Sequence, residues 1–343
     1  MEADSQRSGR SVSVLVPVLN EAEHLAEALD GMRRQRDCEP EFLVIDGGST
    51  DATWEVAEAI AREDPRVRLL KNPDRRTPNA LNIGLREARG EFVARMDAHC
   101  LYPETYLADG IDRLQQGDVQ WVSGPQLPIG RGKWSERVAV ALETKLGVGG
   151  ATFREDLQTE IEVDSGFTGV WTRDVLLRLE GWDEGWPVNQ DGELAARIRE
   201  EGGRIVCLPA MAAGYVPRNS LGSLRRQYWR YGQYKAKTCR HHPNSLRRSH
   251  LLAPGLVVNA AAALLVRGRL AWPFRFGLAV YTAAIAATAW GRSERPPADR
   301  TGLAAVLVTM HGAWGLGFLV GAIRFGPPLR ALATVARSLL PRG

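Results

Sequence analysis

Phe92-Val93-Ala94-Arg95-Met96-Asp97-Ala98-His99 is the stretch whose reading decides the fold. A short apolar run ends abruptly in a carboxylate and, two positions on, an imidazole. Read as a strand, it turns Asp97 and His99 to the same side at its C-terminal end. Open α/β sheets place their ligands at that end. Two metal-capable groups just past a buried strand are what a site for a metal-bound diphosphate needs. Arg95 makes the run less apolar than a central strand usually is. The plainer reading, a strand that ends in a solvated Asp and His, stands beside the functional one.

Working outward, Val12–Val18 reads as a β-rich run, and Asn20-Glu21-Ala22-Glu23 as a capping box opening a helix to about Arg34. Glu41–Asp46 is the next strand; it breaks at Gly47-Gly48, and a helix restarts near Asp51 and runs to about Arg62. Val67–Leu70 reads as a strand, Asn72-Pro73 as a turn, Ala80–Ala88 as a helix, and Pro103 as the first residue of another helix. Val119–Ser123, Thr168–Thr172 and Arg204–Leu208 read as strands, Arg173–Leu179 and Gln190–Glu201 as helices. Alternation at this spacing predicts an α/β domain with a doubly wound, mostly parallel sheet. Gly124–Ser165, with Gly147, Gly149 and Gly150, reads as a mobile loop.

After Leu251 the character changes. Leu251–Val266, Phe276–Trp290 and Gly302–Ile323 are apolar runs of 16, 15 and 22 residues. A membrane span needs roughly 20 apolar residues, so only the third qualifies outright. The first two are either spans extended by snorkelling Arg267, Arg269 and Arg275 or a re-entrant hairpin. Buried helices of a second soluble domain are the alternative.

Within 343 residues, 44% hydrophobic and 24% charged, the net charge of +4 is unevenly spread. From Arg218 onward there are 19 Lys/Arg and two acids, so that part carries +17 and the first 217 residues −13. Such asymmetry fits an acidic catalytic body with a basic tail that faces a membrane or a polyanion. Cys38, Cys100, Cys207 and Cys239 form no C-x-x-C pair, which argues against a zinc framework and suits a reducing compartment; Cys100 and Cys207 read as core. The polar N-terminus lacks an apolar h-region, so the expectation is no signal peptide and a cytosolic body.

Asp46-Gly47-Gly48-Ser49-Thr50-Asp51 sits where a strand passes into a helix. Its glycines allow close backbone approach, and Asp46 can accept hydrogen bonds from a base or ribose. No G-x-G-x-x-G follows the first strand and no Gly-Lys-Ser/Thr is present, so neither a dinucleotide fingerprint nor a P-loop is formed. Arg75 and Arg76 are either phosphate contacts or an ordinary solvated pair. From Arg218 to His250 there are nine Lys/Arg and no acid, interleaved with Tyr228, Trp229, Tyr231 and Tyr234. Its place before the first apolar run favours a membrane surface over a nucleic acid.

Val16-Pro17-Val18-Leu19-Asn20-Glu21, the Asp46–Asp51 hexapeptide, Asn79-Ala80-Leu81-Asn82-Ile83-Gly84, Ala88-Arg89-Gly90-Glu91 and Asp97-Ala98-His99, in that order, resemble glycosyltransferase family 2. Asp97-Ala98-His99, Asn189-Gln190-Asp191-Gly192-Glu193-Leu194 and Arg226-Gln227-Tyr228-Trp229-Arg230-Tyr231-Gly232 are similar to the bacterial exopolysaccharide (succinoglycan-type) glucosyltransferase branch. The resemblance covers roughly residues 11–250 and implies a GT-A nucleotide-sugar domain at 11–217. A basic aromatic segment at 218–250 and a membrane region of two to three helices at 251–343 follow, after a polar tail at 1–10.

By the same resemblance, Glu21 and Asp46 belong near the uracil and ribose of a UDP-sugar, and Asp97 contacts ribose and metal. His99 stands where the second Asp of the metal motif would be. Imidazole suits Mn²⁺ better than Mg²⁺, so manganese is expected to serve at least as well as magnesium. Asp191 takes the place of the general base, its pKa raised by burial or by neighbouring Glu193 and Asp183. Gly192 replaces a second Asp, and Glu193 is the fallback base. Gln227-x-x-Arg230-Tyr231 resembles a signature in which Arg230 neutralises the departing diphosphate, while Trp229 or Tyr231 stacks on a sugar.

These implications combine into an inverting, metal-dependent hexosyltransferase of the cytoplasmic membrane, its catalytic domain facing the cytosol. Its partners are a UDP-sugar, by resemblance one that donates glucose, a polyprenyl-diphosphate-linked glycan and membrane lipids, with no nucleic acid. The rival readings are a polyprenyl-phosphate sugar transferase and a non-catalytic, membrane-tethered nucleotide-binding protein.

Overall fold

The computed structural model describes residues 10–148, 157–291 and 296–338. The chain divides into two units: Met1–Leu127 with Phe153–Tyr215, and Pro128–Thr152 with Val216–Gly343, over their described residues.

In the first unit the elements run β1 (Ser11–Val18), α1 (Leu25–Arg33), β2 (Glu39–Asp46), α2 (Thr53–Glu63), β3 (Val67–Lys71), α3 (Thr77–Glu87), β4 (Phe92–Arg95), β5 (Cys100–Leu101), α4 (Tyr106–Leu114), β6 (Trp121–Ser123) and β7 (Gln126–Pro128). In the second, α5 (Lys133–Leu142) and α6 (Lys145–Val148) come next. The chain then supplies the first unit with β8 (Ile161–Glu162), β9 (Gly169–Thr172), α7 (Arg173–Arg178), α8 (Gln190–Glu200), β10 (Ile205–Cys207) and β11 (Ala213–Tyr215).

The main sheet has the order β3-β2-β1-β4-β9-β6-β10-β8, and a smaller one the order β5-β11-β7. β2 and β4 both pair in parallel with β1, and β3 with β2. β9 runs antiparallel between β4 and β6, and β8 antiparallel on β10. The expected doubly wound, mostly parallel sheet is present, with these two strands reversed. Alternation within β1 shows why both faces are covered. Val12, Val14, Val16 and Val18 enter one core with Leu25 and Leu29 of α1 and Tyr106 and Ile111 of α4. Leu15 enters the other core with Leu81 and Leu85 of α3 and Leu194 and Ile198 of α8. Successive residues of a strand point to opposite faces, so an unbroken apolar strand must be buried on both sides.

The sheet fixes where the ligand crevice lies. From β1 the chain winds out through β2 and β3, then returns to β4 on β1's other side, so the switch point lies at the C-terminal ends of β1 and β4. Gly90 enters β4 against the backbone of β1: a Cβ there would stand 2.7 Å from the Ser13 nitrogen, and only glycine fits.

Three sequence expectations need correction. Asn20-Glu21-Ala22-Glu23 forms no capping box: Asn20 is left-handed (φ 56°), its Oδ1 accepts from the Thr50 N–H at 2.8 Å, and α1 starts only at Leu25. Pro103 opens a turn, with α4 beginning at Tyr106. The stretch 124–165 is not simply a loop, because it holds β7, α5, α6 and β8; Gly149 and Gly150 lie outside the described residues.

The second unit continues with α9 (Leu221–His241), α10 (Leu252–Leu265), α11 (Trp272–Trp290), α12 (Pro297–Phe325) and α13 (Leu329–Arg337). Helical turns before the apolar runs lengthen the first two, giving three helices of 18, 23 and 29 residues long and apolar enough to cross a membrane. Only 11% of the apolar window is buried in each of the first two, against 44% in the third, so α12 is the inner one. It carries glycines where it meets α9: a Cβ on Gly317 would lie 2.3 Å from the Trp229 carbonyl oxygen, and one on Gly321 2.5 Å from that of Gln233. Small residues four apart let helix backbones approach closely. Arg137 of α5 is buried and donates to Asp299 Oδ1 of α12 at 2.8 Å.

Candidate active site

Three loops of the first unit meet around the switch point. The one after β1 is tied to the one after β2: Asn20 N–H donates to Ser49 Oγ at 2.9 Å, Glu21 N–H to Thr53 Oγ1 at 2.8 Å, and Ala22 N–H to Asp51 Oδ2 at 3.2 Å. Asp46 ends β2 almost fully buried, and its carboxylate accepts from the N–H of Gly48 (3.1 Å), the N–H of Ser49 (3.2 Å) and Ser49 Oγ (2.5 Å). Arg75, left-handed at φ 59°, donates to the carbonyls of Gly47 (3.2 Å) and Gly48 (2.8 Å). Its guanidinium therefore braces the Asp46 turn, a use that neither sequence reading gave it.

The third loop follows β4 and holds the main charge cluster. Arg95, the last residue of β4, is 5% exposed. Its Nε and Nη2 donate to the two oxygens of Asp97 at 2.8 and 3.0 Å, and its Nη1 to both oxygens of Asp191 at 2.7 and 2.8 Å. Asp97 N–H donates to Tyr102 Oη at 2.7 Å, and burial pushes that phenol well above its ordinary pKa. Burial also raises the Asp191 carboxyl to about 6; Arg95 opposes the shift and Asp97 adds to it. Two carboxylates thus share one guanidinium in a low-dielectric pocket, and one of them is under-compensated.

Asp191 lies in the first turn of α8, after a left-handed Asn189 (φ 63°). The loop before it is held from α3. Asn82 Nδ2 donates to the Trp182 carbonyl at 2.8 Å and its Oδ1 accepts from the Trp182 N–H at 2.9 Å. Glu184 accepts from Asn79 Nδ2 at 2.8 Å and from Asn82 Nδ2 at 3.0 Å. Glu193, the fallback base, is 2% exposed and lies on Arg197 at 2.7 Å, an ion pair that fastens α8 to the carbonyls of Leu179 and Gly181. Both Glu193 oxygens are thus held by Arg197. Asp183 caps Gly185 N–H at 2.7 Å and has no part in the Asp191 shift.

His99 is half-buried; its Nδ1 stands 3.7 Å from Glu21 Oε1, and its ring meets Tyr215 edge-on at 5.7 Å. Among the described residues no three His, Cys, Asp or Glu side chains form a group that could hold a metal by themselves. Asp97 and His99 fit a divalent ion on the chemistry of their donors, provided that diphosphate oxygens and water complete its shell. Gln227, Trp229, Arg230 and Tyr231 lie on α9 of the second unit, where Gln227 Nε2 donates to Tyr231 Oη at 3.0 Å and Arg230 is exposed.

Comparison with known proteins decides the family. A family model described as "Glycosyl transferase family 2" matches residues 13–174. The chain is 32% identical over 339 residues, 93% of its length and 96% of the relative's, to the "Succinoglycan biosynthesis protein ExoA" of Rhizobium meliloti (strain 1021). The chain belongs to glycosyltransferase family 2. It is 24% identical over 237 residues, 65% of its length and 72% of the relative's, to the "Dolichyl N-acetyl-alpha-D-glucosaminyl phosphate 3-beta-D-2,3-diacetamido-2,3-dideoxy-beta-D-glucuronosyltransferase" of Methanococcus voltae. In fold it matches the mannosyltransferase PcManGT of Pyrobaculum calidifontis, solved with GDP-Man and Mn²⁺, at TM-score 0.59 and 22% identity over 92% of this chain and 86% of that one. The sheet is thus of the GT-A type, and the chain is a glycosyltransferase with three helices able to span a membrane.

Proposed function

We propose that the chain is an inverting transferase that moves a hexose, glucose by resemblance, from a UDP-sugar to a polyprenyl-diphosphate-linked glycan in exopolysaccharide synthesis. The observation that carries the reading is Asp191. It is tied through Arg95 to Asp97 at the mouth of β4, and burial pushes its carboxyl up to about 6. A general base needs a pKa near the operating pH and a fixed place beside the donor. In the reaction the acceptor oxygen attacks the anomeric carbon, its proton passes to Asp191, and the bond to the nucleoside diphosphate breaks with the electron pair leaving on the phosphate oxygen.

Asp46 with its Gly-Gly-Ser turn and Glu21 seat the nucleoside, and the family resemblance assigns Arg230, with Gln227 and Trp229, to the departing diphosphate. When bound at Asp97 and His99, Mn²⁺ or Mg²⁺ supplies positive charge against the diphosphate. Likeness over 93% of the chain to a succinoglycan biosynthesis protein supports the exopolysaccharide setting. The apolar helices and the basic segment before them support a cytoplasmic-membrane location with the catalytic unit on the cytosolic side. GDP-mannose bound by the structural relative keeps that donor in any panel.

The test is nucleoside diphosphate release by detergent-purified protein with UDP-sugars and GDP-mannose, Mn²⁺ and a membrane acceptor fraction. Turnover of one UDP-sugar, lost in Asp97→Ala and Asp191→Asn, supports the reading. UDP binding without turnover of any donor overturns it in favour of a nucleotide-binding protein. An Asp191→Asn variant that keeps most activity favours a lipid-phosphate acceptor, which needs no strong base.

A further inference from the structure

A guanidinium at the end of a central strand, 5% exposed, is costly unless its donors are met. Here they are met by two acids of different duty. The Nε/Nη2 edge lies on Asp97, on the donor side, and Nη1 lies on Asp191, the acceptor-side base. The fork takes one acceptor site on each oxygen of Asp97, and a cationic donor complex would draw on the same two oxygens beside the guanidinium charge. Donor binding and the Arg95–Asp97 pair therefore compete, and whatever grip Arg95 loses on Asp97 is free for Asp191.

We propose that Arg95 is a positioning residue that couples the two halves of the reaction: it yields Asp97 to the incoming donor and, through Nη1, holds Asp191 aimed at the acceptor. The inference rests on Asp191 being the base. A coupling of this kind is reciprocal, so a change at Asp191 must be felt at the donor seat even without contact between them. Its sign is set by the geometry. In Asp191→Asn the guanidinium loses its second anionic partner, stays on Asp97 and resists the donor more strongly. Simple electrostatics predicts the reverse, since removing a negative charge near a diphosphate site should tighten binding. Lysine at 95 keeps a charge but, as a point donor, cannot reproduce the fork and the Nη1 bridge together.

The experiment is calorimetric titration of UDP with Mn²⁺ into full-length protein in detergent, beside kcat and acceptor KM, for wild type, Arg95→Lys, Asp191→Asn and the double variant. Expected are UDP affinity several-fold weaker in Asp191→Asn and equal or tighter in Arg95→Lys. A kcat in Arg95→Lys lowered about 10- to 100-fold is also expected, with no further loss when Arg95→Lys is added to Asp191→Asn. Unchanged or tighter UDP binding in Asp191→Asn overturns the inference, as does a wild-type kcat in Arg95→Lys or full additivity in the double variant. Undiminished kcat in Asp191→Asn alone is a different failure, that of the base assignment. If Arg95→Lys does not fold, the UDP affinity of Asp191→Asn decides the matter by itself.

Discussion

Asn82 of α3 and Trp182, 100 residues apart, exchange two hydrogen bonds of 2.8 and 2.9 Å, one in each direction between an amide side chain and a peptide group. The pair anchors the loop that leads to Asp191. Asn82→Ala leaves the Trp182 N–H and carbonyl buried without partners, which costs about 2–4 kcal/mol. Thermal unfolding followed by tryptophan fluorescence should show a clearly lowered midpoint. A wild-type midpoint in Asn82→Ala would mean that the loop is held elsewhere.

The pH dependence of kcat/KM reports the free enzyme. With the Asp191 carboxyl raised from 3.8 to about 6 by burial, the base is lost on acidification two units earlier than an ordinary aspartate would be. The acid limb should therefore bend near pH 6 and fall tenfold per unit below it. Stability moves the other way at this residue. Its folded pKa exceeds the unfolded value, so the contribution is complete below about pH 4 and is lost as pH rises through about 6. A limb centred near pH 4 would show that the titrating base carries no such upward shift.

The sheet was legible because β1, β2 and β4 are apolar runs ending in turn residues, and the place of Asp97 follows from the strand end alone. Arg95 was legible only as a blemish in β4. Its partner Asp191 is 96 residues away, and a single sequence does not say which distant acid a buried guanidinium meets. Asn20 looked like a helix cap because its spacing to Glu23 fits one; its side chain instead closes a bond to Thr50, 30 residues on. The helix at Lys133–Leu142 was obscured by the glycines around it, although Val138-Ala139-Val140-Ala141-Leu142 is buried throughout. By contrast, the Gly317-x-x-x-Gly321 spacing is a signal of close helix approach that the sequence carries by itself.

Metal removal tests the Asp97–His99 pair. Activity should vanish on treatment with EDTA, and Mn²⁺ should restore it at least as well as Mg²⁺, because imidazole suits manganese better. His99→Asp should shift the preference toward Mg²⁺ while UDP binding survives. Full activity after exhaustive chelation would exclude a metal from the donor seat.

The last prediction concerns α9, which carries Gln227, Trp229 and Arg230, and its seat on α12. A methyl on Gly317 would stand 2.3 Å from the Trp229 carbonyl oxygen, and backbone rather than a movable side chain blocks it. Gly317→Ala must therefore push the two helices apart, at about 1–3 kcal/mol. Gly312, on the same helix, has nothing within 4 Å of an added Cβ. Gly312→Ala should be neutral or stabilise the helix by up to about 1 kcal/mol. Thermal unfolding of the two variants in one detergent separates a local clash from a general intolerance of the span to change. Equal midpoints for both would refute the close approach of α9 and α12. A selective loss in Gly317→Ala, with turnover falling further than the unfolded fraction explains, would tie the Gln227-x-x-Arg230-Tyr231 helix to the reaction through its seat on α12.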